Sequence, residues 1–122
     1  MDILLDTHAL LWYVAGDSRL RPSHRALIAD DTQRKFVSIA SLWEITIKTS
    51  SGKLATVVPL PLLVPAGIGI LPVQLAHLLR LQTLPYHHRD PFDRLLIAQA
   101  LAENLALIST DKHFAAYGVA LL

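Results

Sequence analysis

His87-His88-Arg89-Asp90-Pro91-Phe92-Asp93-Arg94-Leu95-Leu96-Ile97-Ala98-Gln99-Ala100 carries a charged turn directly into an apolar helix. Asp90 before Pro91 marks a helix start: a carboxylate caps exposed backbone N–H groups, and proline suits the first helical position. Phe92, Leu95, Leu96, Gln99 and Ala100 follow at helical spacing, so this helix lies against a core. Asp93 falls in the first turn, where the helix dipole favours an anion. Local physics therefore explains Asp93 without any chemistry. The functional reading depends on where the other carboxylates fall.

Outward from this helix, short apolar runs alternate with helical patterns. Downstream, Leu105-Ala106-Leu107-Ile108-Ser109 reads as a strand running into Thr110-Asp111-Lys112-His113-Phe114, where a helix begins, and Val119 to Leu122 reads as a terminal strand. Upstream, Leu75 to Leu81 has helical spacing and Ile70 to Val73 is apolar and strand-like. At the N-terminus Ile3-Leu4-Leu5 has the pattern of a buried parallel strand; it ends at Asp6, before an apolar helix from Thr7 that stops near Gly16. Pro22-Ser23 opens a helix through Ala29, and Phe36-Val37-Ser38 is another short strand. Ser41-Leu42-Trp43-Glu44 opens a further helix that Gly52 ends. Ser41 and Glu44 have the spacing of a capping box, in which each side chain satisfies the other residue's N–H. This alternation predicts one domain over residues 1–122, an α/β protein with a three-layer α/β/α fold around a mainly parallel central sheet.

Composition narrows the classes. A formal charge of +1 over 122 residues excludes strong whole-molecule attraction to nucleic acid, while leaving room for a basic rim around an acidic centre. The chain has no cysteine, so disulfides, thiolate metal sites and cysteine nucleophiles are excluded. That fits a reducing cytosol, and the N-terminus lacks the basic start and apolar run of a signal peptide; a cytoplasmic location is expected. No charged residue falls between Lys53 and Arg80, but Pro59, Pro61, Pro65, Pro72, Gly67 and Gly69 interrupt the segment. A spanning helix needs ~20 continuous apolar residues, so the expectation is no membrane, with a short helix and a buried strand here. The Pro59 to Pro72 part serves equally as core or as a protein contact.

Four acids occupy equivalent places: Asp6 and Asp111 just after strands, Glu44 and Asp93 early in helices. In a parallel α/β sheet these positions gather on one edge, where ligands bind. Each has a bland reading as a cap. Together they crowd negative charge, which a divalent cation compensates. Oxygen-only donors suit Mg²⁺ or Mn²⁺ over zinc, and a carboxylate-held cation supports phosphodiester hydrolysis. The histidines show no paired zinc spacing. His8 reads as a packed histidine, while His87 and His88 sit near a substrate with a weak claim as acid or base. Trp12, Trp43 and Phe92 read as core packing.

Leu4-Leu5-Asp6-Thr7-His8, Ser41-Leu42-Trp43-Glu44-Ile45, His88-Arg89-Asp90-Pro91-Phe92-Asp93-Arg94 and Ser109-Thr110-Asp111 together resemble PIN-domain proteins of the VapC type, the toxins of type II toxin–antitoxin systems. The likeness covers nearly the whole chain in the family's order, and the Asp-Pro-Phe-Asp-Arg block with its helix is its most specific part. It implies an Mg²⁺- or Mn²⁺-dependent endoribonuclease neutralised by a VapB-type antitoxin. On this resemblance Asp6, Glu44, Asp93 and Asp111 are the catalytic, metal-holding acids. Ser109 is a supporting hydroxyl, and Asp90 is a helix cap with a supporting role. Arg89, Arg94 and Lys48 are candidates for phosphate contacts, against the alternative of ordinary surface charge. A homodimer is also expected. The segment from Pro59 to Pro72 departs from the family by its prolines and glycines.

Two other functions compete. A catalytically silent PIN-like module would bind RNA or antitoxin without cutting. A phosphatase of the haloacid dehalogenase type also begins with a strand and an aspartate, but His8 stands where its second aspartate belongs.

Overall fold

The computed structural model describes all 122 residues. Four strands, β1 (Asp2–Leu5), β2 (Arg34–Ser38), β3 (Ile68–Leu71) and β4 (Ala106–Ile108), form one sheet in the order β3-β2-β1-β4, with every pairing parallel. The helices are α1 (Thr7–Ala15), α2 (Pro22–Ala29), α3 (Ile39–Ser50), α4 (Leu75–Gln82) and α5 (Pro91–Glu103). The expected α/β/α sandwich is present.

Alternation along the strands builds two cores. Ile3, Leu5, Val37 and Ile108 point to one face and pack with Ala9, Leu10, Ile28, Leu42 and Ile45 from α1, α2 and α3. Leu4 and Leu107 point to the other and meet Leu96, Ile97 and Ala100 of α5, together with Phe114. A strand buried on both faces must be apolar throughout, which is why Ile3-Leu4-Leu5 contains no polar break. Each such side chain contributes roughly 1.5–3 kcal/mol on burial.

Helix α5 starts where the sequence says: the Asp90 carboxylate accepts from the N–H groups of Phe92 and Asp93 at 2.9 and 3.0 Å. It ends at Asn104, which takes the left-handed conformation that a short polar side chain tolerates. Gln99 is fully buried in α5 and accepts from the Ser38 hydroxyl at 2.6 Å while donating to the Pro72 carbonyl at 3.2 Å, tying the helix to the ends of β2 and β3.

Several local expectations need correction. Helix α3 begins at Ile39, capped by Ser38, whose hydroxyl accepts from the Ala40 N–H; Ser41 is not its cap. The chain passes from β2 into α3 without a loop, and the last strand residue serves as the cap. β3 is a partly exposed edge strand, since nothing pairs beyond it. A β-carbon at Gly69 would lie 3.0 Å from the Phe36 ring, so any larger residue there would press on that ring and require it to shift. The segment after Asp111 is a 3₁₀ turn (Lys112–Tyr117), and the terminal strand reduces to one parallel bridge between Leu107 and Leu121. In the apolar connection a 3₁₀ turn spans Leu60–Leu62; Leu63 is buried while Leu62 is exposed, so the segment is part core and part surface. No helix is long and apolar enough to cross a membrane.

Candidate active site

β1 pairs with β2 on one side and β4 on the other, so the strand order reverses at β1 and a crevice opens at the carboxyl ends of β1 and β4. Asp6 leaves β1 into that crevice and Asp111 follows β4. Glu44 reaches it from α3 and Asp93 from α5.

Asp6 caps α1, its carboxylate accepting from the Ala9 N–H at 2.7 Å. It is nevertheless 7% exposed, and burial pushes its carboxyl above the ordinary range. The Ala9 N–H and the Ser109 hydroxyl oppose that shift, while the charge of Asp111 adds to it. The Ser109 hydroxyl also accepts from the Asp111 N–H at 3.0 Å. It therefore links the two acids that follow the central strands.

Glu44 is not a capping residue. Because α3 starts at Ile39, Glu44 lies in the second turn and points inward, 4% exposed. Its Oε1 accepts from the Thr7 hydroxyl at 2.8 Å and its Oε2 pairs with Lys48 at 2.7 Å. The Thr7 oxygen also lies 3.0 Å from Ser41 Oγ. Ser41 and Glu44 thus face the same side for a packing reason, not for N-terminal hydrogen bonding. The bond to Glu44 raises the Lys48 ammonium above its usual value and holds it at the rim.

Asp93 is strongly perturbed as well. Burial pushes its carboxyl up to about 7, and the neighbouring charges of Asp90 and Glu44 push in the same direction. Asp6 adds to this and His88 opposes it. Asp111, although burial works against its ionisation, sits below the ordinary value because the His113 N–H, the His113 ring and His88 all hydrogen-bond it. Its Oδ1 meets the His113 N–H and Nδ1 at 2.9 Å each, and its Oδ2 lies 3.3 Å from His88 Nε2. The donor atoms of His88, Asp111 and His113 lie within 4.8 Å of one another, close enough to surround a cation.

Sequence reasoning underrates His88, which sits between Asp93 and Asp111 with Nε2 at 3.1 and 3.3 Å from their Oδ2 atoms. It also misses Thr7, which lies under Glu44. Only its position one residue after the strand-ending aspartate hints at that place. The phosphate contact expected of Arg94 is not what the structure shows. Its guanidinium is buried and donates to the carbonyls of Pro85 at 2.7 Å and Leu84 at 3.2 Å and to the Tyr117 hydroxyl at 3.3 Å, fastening the loop before α5. Arg89 is exposed, on a surface depression that it shares with Leu81, Gln82, Tyr86 and Pro91. His8 is exposed and stacks on Trp12 at 5.5 Å, and Trp43 is 59% exposed with its edge against Phe92 at 5.1 Å, so neither is packed in the core. A cavity of about 470 Å³ runs from Thr7, Glu44 and Lys48 along α1 past His8 and Trp12 towards Arg19 and Lys53.

Fold and site place the chain among parallel α/β proteins that collect acidic side chains at the carboxyl edge of the sheet. Residues 3–120 match the PIN domain, and the chain belongs to that family. Among solved structures it is similar to a chain of VapBC2 from Rickettsia felis bound to a promoter DNA fragment, with a TM-score of 0.74 at 15% identity over 100% of this chain and 98% of that one. It is also similar to a chain of a toxin–antitoxin complex from Klebsiella pneumoniae, with a TM-score of 0.64 at 18% identity over 98% of this chain and 95% of that one. Comparison with curated proteins by sequence gave no match.

Proposed function

We propose that this PIN domain is a divalent-cation-dependent endoribonuclease acting as the toxin of a type II toxin–antitoxin pair. One observation carries the reading: four acids from separate segments meet at one sheet edge, and burial there raises the carboxyls of Asp6 and Asp93. A site of opposing carboxylates that resist ionisation is one whose charge is completed by a cation. The donors are all oxygen, which fits Mg²⁺ or Mn²⁺. Asp6, Glu44 and Asp93 would hold the ion, with Asp111 completing the surroundings. When bound, such an ion supplies charge neutralisation for a phosphodiester and acidifies a water nucleophile.

The chain's own residues supply the rest. Thr7 orients Glu44, and Ser109 couples Asp6 to the backbone of Asp111. Lys48 pairs with Glu44 and would turn to phosphate once a cation takes that carboxylate. Arg89 adds a second positive charge at the rim. The two similar structures, a VapBC pair and a toxin–antitoxin complex, support an antitoxin partner for this chain. The exposed apolar side chains of α4, Leu75, Leu78 and Leu79, are consistent with a homodimer, which light scattering at micromolar concentration tests.

The decisive experiment is cleavage of total RNA with Mg²⁺ or Mn²⁺, against EDTA and Asp93→Asn. Discrete cuts that need the cation and vanish in the variant are expected. RNA binding without cutting by the cation-loaded protein would favour the silent module, and release of phosphate from small phosphoesters would favour a phosphatase.

A further inference from the structure

The loop that bears His88 is fastened more firmly than its exposed neighbours. The His88 N–H donates to the Tyr117 hydroxyl at 2.7 Å, and its carbonyl accepts from Arg94 at 3.5 Å. The imidazole lies against the rings of Phe114 and His113, with centroids 6.1 and 5.3 Å away. Tyr117, Arg94 and Phe114 are all buried, so the backbone of His88 is fastened to the core and its ring lies between buried Phe114 and exposed His113.

The same loop fixes which nitrogen bears the hydrogen. The Asp90 N–H donates to His88 Nδ1 at 3.1 Å. A donor aimed at Nδ1 requires a lone pair there, so a neutral ring carries its hydrogen on Nε2. That Nε2–H donates to Asp111 Oδ2 at 3.3 Å, and Asp93 Oδ2 lies beside it at 3.1 Å as a close charge neighbour, off the hydrogen-bond axis. One ring edge thus touches two carboxylates from different elements, by a hydrogen bond to Asp111 and by charge proximity to Asp93.

We infer that His88 is a positioning residue: its Nε2 edge, hydrogen-bonded to Asp111 and in close contact with Asp93, sets the separation of the two carboxylates, and so the cation affinity of the site. The inference rests on the cation-binding reading above. It also decides against the trio of His88, Asp111 and His113 as a ligand set, despite their spacing. Ligation through Nε2 would move the hydrogen to Nδ1, where it would confront the Asp90 N–H, donor against donor. Histidine can serve this role where lysine could not, because lysine has no acceptor to receive the Asp90 N–H.

Binding of Mn²⁺ alone, followed without RNA by the loss of the free-ion paramagnetic resonance signal, tests it. The native chain, His88→Gln, His88→Asn and His88→Ala are compared. The glutamine amide reaches the place of Nε2 and can still donate to Asp111 while facing Asp93, whereas the asparagine amide stops near Nδ1. His88→Ala and His88→Asn should bind Mn²⁺ about 10- to 100-fold more weakly, the usual effect of removing a group that orients a ligand, with His88→Gln recovering most of the loss. A purely structural role would lower the melting temperature of the variants without separating glutamine from asparagine. Native affinity in His88→Ala, or no advantage of glutamine over asparagine, would overturn the inference. So would nitrogen coupling to bound Mn²⁺ that disappears in His88→Ala, because His88 would then be a ligand. If the native chain binds no Mn²⁺, the cation reading of the site falls and this inference falls with it.

Discussion

Asp93 and Asp17 are both aspartates beside a helix end, yet their surroundings drive them in opposite directions. Asp17, in the turn after α1, accepts from the Arg19 N–H and from its guanidinium at 2.7 Å, which together bring its carboxyl down to about 2. Asp30, before β2, is likewise lowered by the Thr32 hydroxyl and N–H. Each of these carboxylates is answered by its own neighbours in sequence. Asp93 is instead half-buried in the company of Asp90, Glu44 and Asp6, and its carboxyl rises to about 7. A cap and a site residue therefore cannot be told apart by type or helix position. What separates them is whether the charge is answered locally or left in the company of other acids.

If that contrast is the functional one, neutralising Asp93 should have the largest effect in the molecule. Asp93→Asn is expected to lower cation-dependent RNA cleavage by about 10²-fold or more, a loss that titration of gel-resolved fragments would show. The same change should not destabilise the cation-free fold at pH 8, since it removes an unfavourable charge. Next in size is the arginine one residue on. Arg94→Ala would leave the carbonyls of Leu84 and Pro85 without their donor, at a cost of about 3 kcal/mol or more in chemical denaturation. Arg89→Ala should leave stability unchanged and weaken RNA binding, more so at low salt. An Arg94→Ala variant that kept native stability would undo the assignment of that side chain to the loop.

The pH response sharpens the comparison further. The folded carboxyl of Asp93 lies above its ordinary value of 3.8, so folding favours its protonated form. The contribution of Asp93 to the stability of the cation-free protein should then be fully present below about pH 4, be lost as pH rises towards about 7, and level off above, opposite in sign to that of the lowered carboxyls of Asp17, Asp30 and Asp111. Each tenfold change in acidity between the folded and unfolded chain is worth at most about 1.4 kcal/mol. Solvent screening lowers that figure here, because the Asp93 side chain keeps 24% of its surface exposed. Asp93→Asn should remove its share of this slope, leaving that of the raised Asp6 carboxyl, and saturating Mg²⁺ should flatten it. Cation affinity should fall as pH drops below about 7, because the proton and the ion compete for the same oxygens. Urea titrations at several pH values measure the first effect, and calorimetric titration with Mg²⁺ the second. An affinity independent of pH between about 5 and 8 would mean that Asp93 is not among the ion's ligands.

Much of this could be read in the chain because the decisive signals are local. The run Ile3-Leu4-Leu5 is buried on both faces, and the Asp90-Pro91 pair opens α5 where it should. The signals that mislead are local too. Ser38 and Ser41 both suit a cap, and Ser41 stands one helical turn before Glu44. Only the absence of a loop after β2 selects Ser38 and turns Glu44 inward. His88 cannot be placed from its neighbours, since its partner Asp111 lies 23 residues away and is brought to it by the sheet. Arg94 looks like a free cation because the carbonyls of a loop leave no mark in a sequence. Trp43 has the composition of a core residue, but its place on α3 faces solvent beside Phe92.

The smallest effect is expected at the other pole of the comparison. Asp17→Asn keeps the acceptor for the Arg19 N–H but removes the charge that faces the guanidinium. The pair is solvent-facing, and such ion pairs contribute little once water and salt screen them. Asp17 also lines the far end of the cavity that begins at Glu44, so its removal makes that end more positive. RNA cleavage should therefore be unchanged or slightly faster at low ionic strength, the difference vanishing near physiological salt, where charges more than about 8 Å apart are largely screened. A cleavage loss comparable to that of Asp93→Asn would mean that a locally satisfied carboxylate matters as much as a crowded one, and the distinction between the two regions would fail.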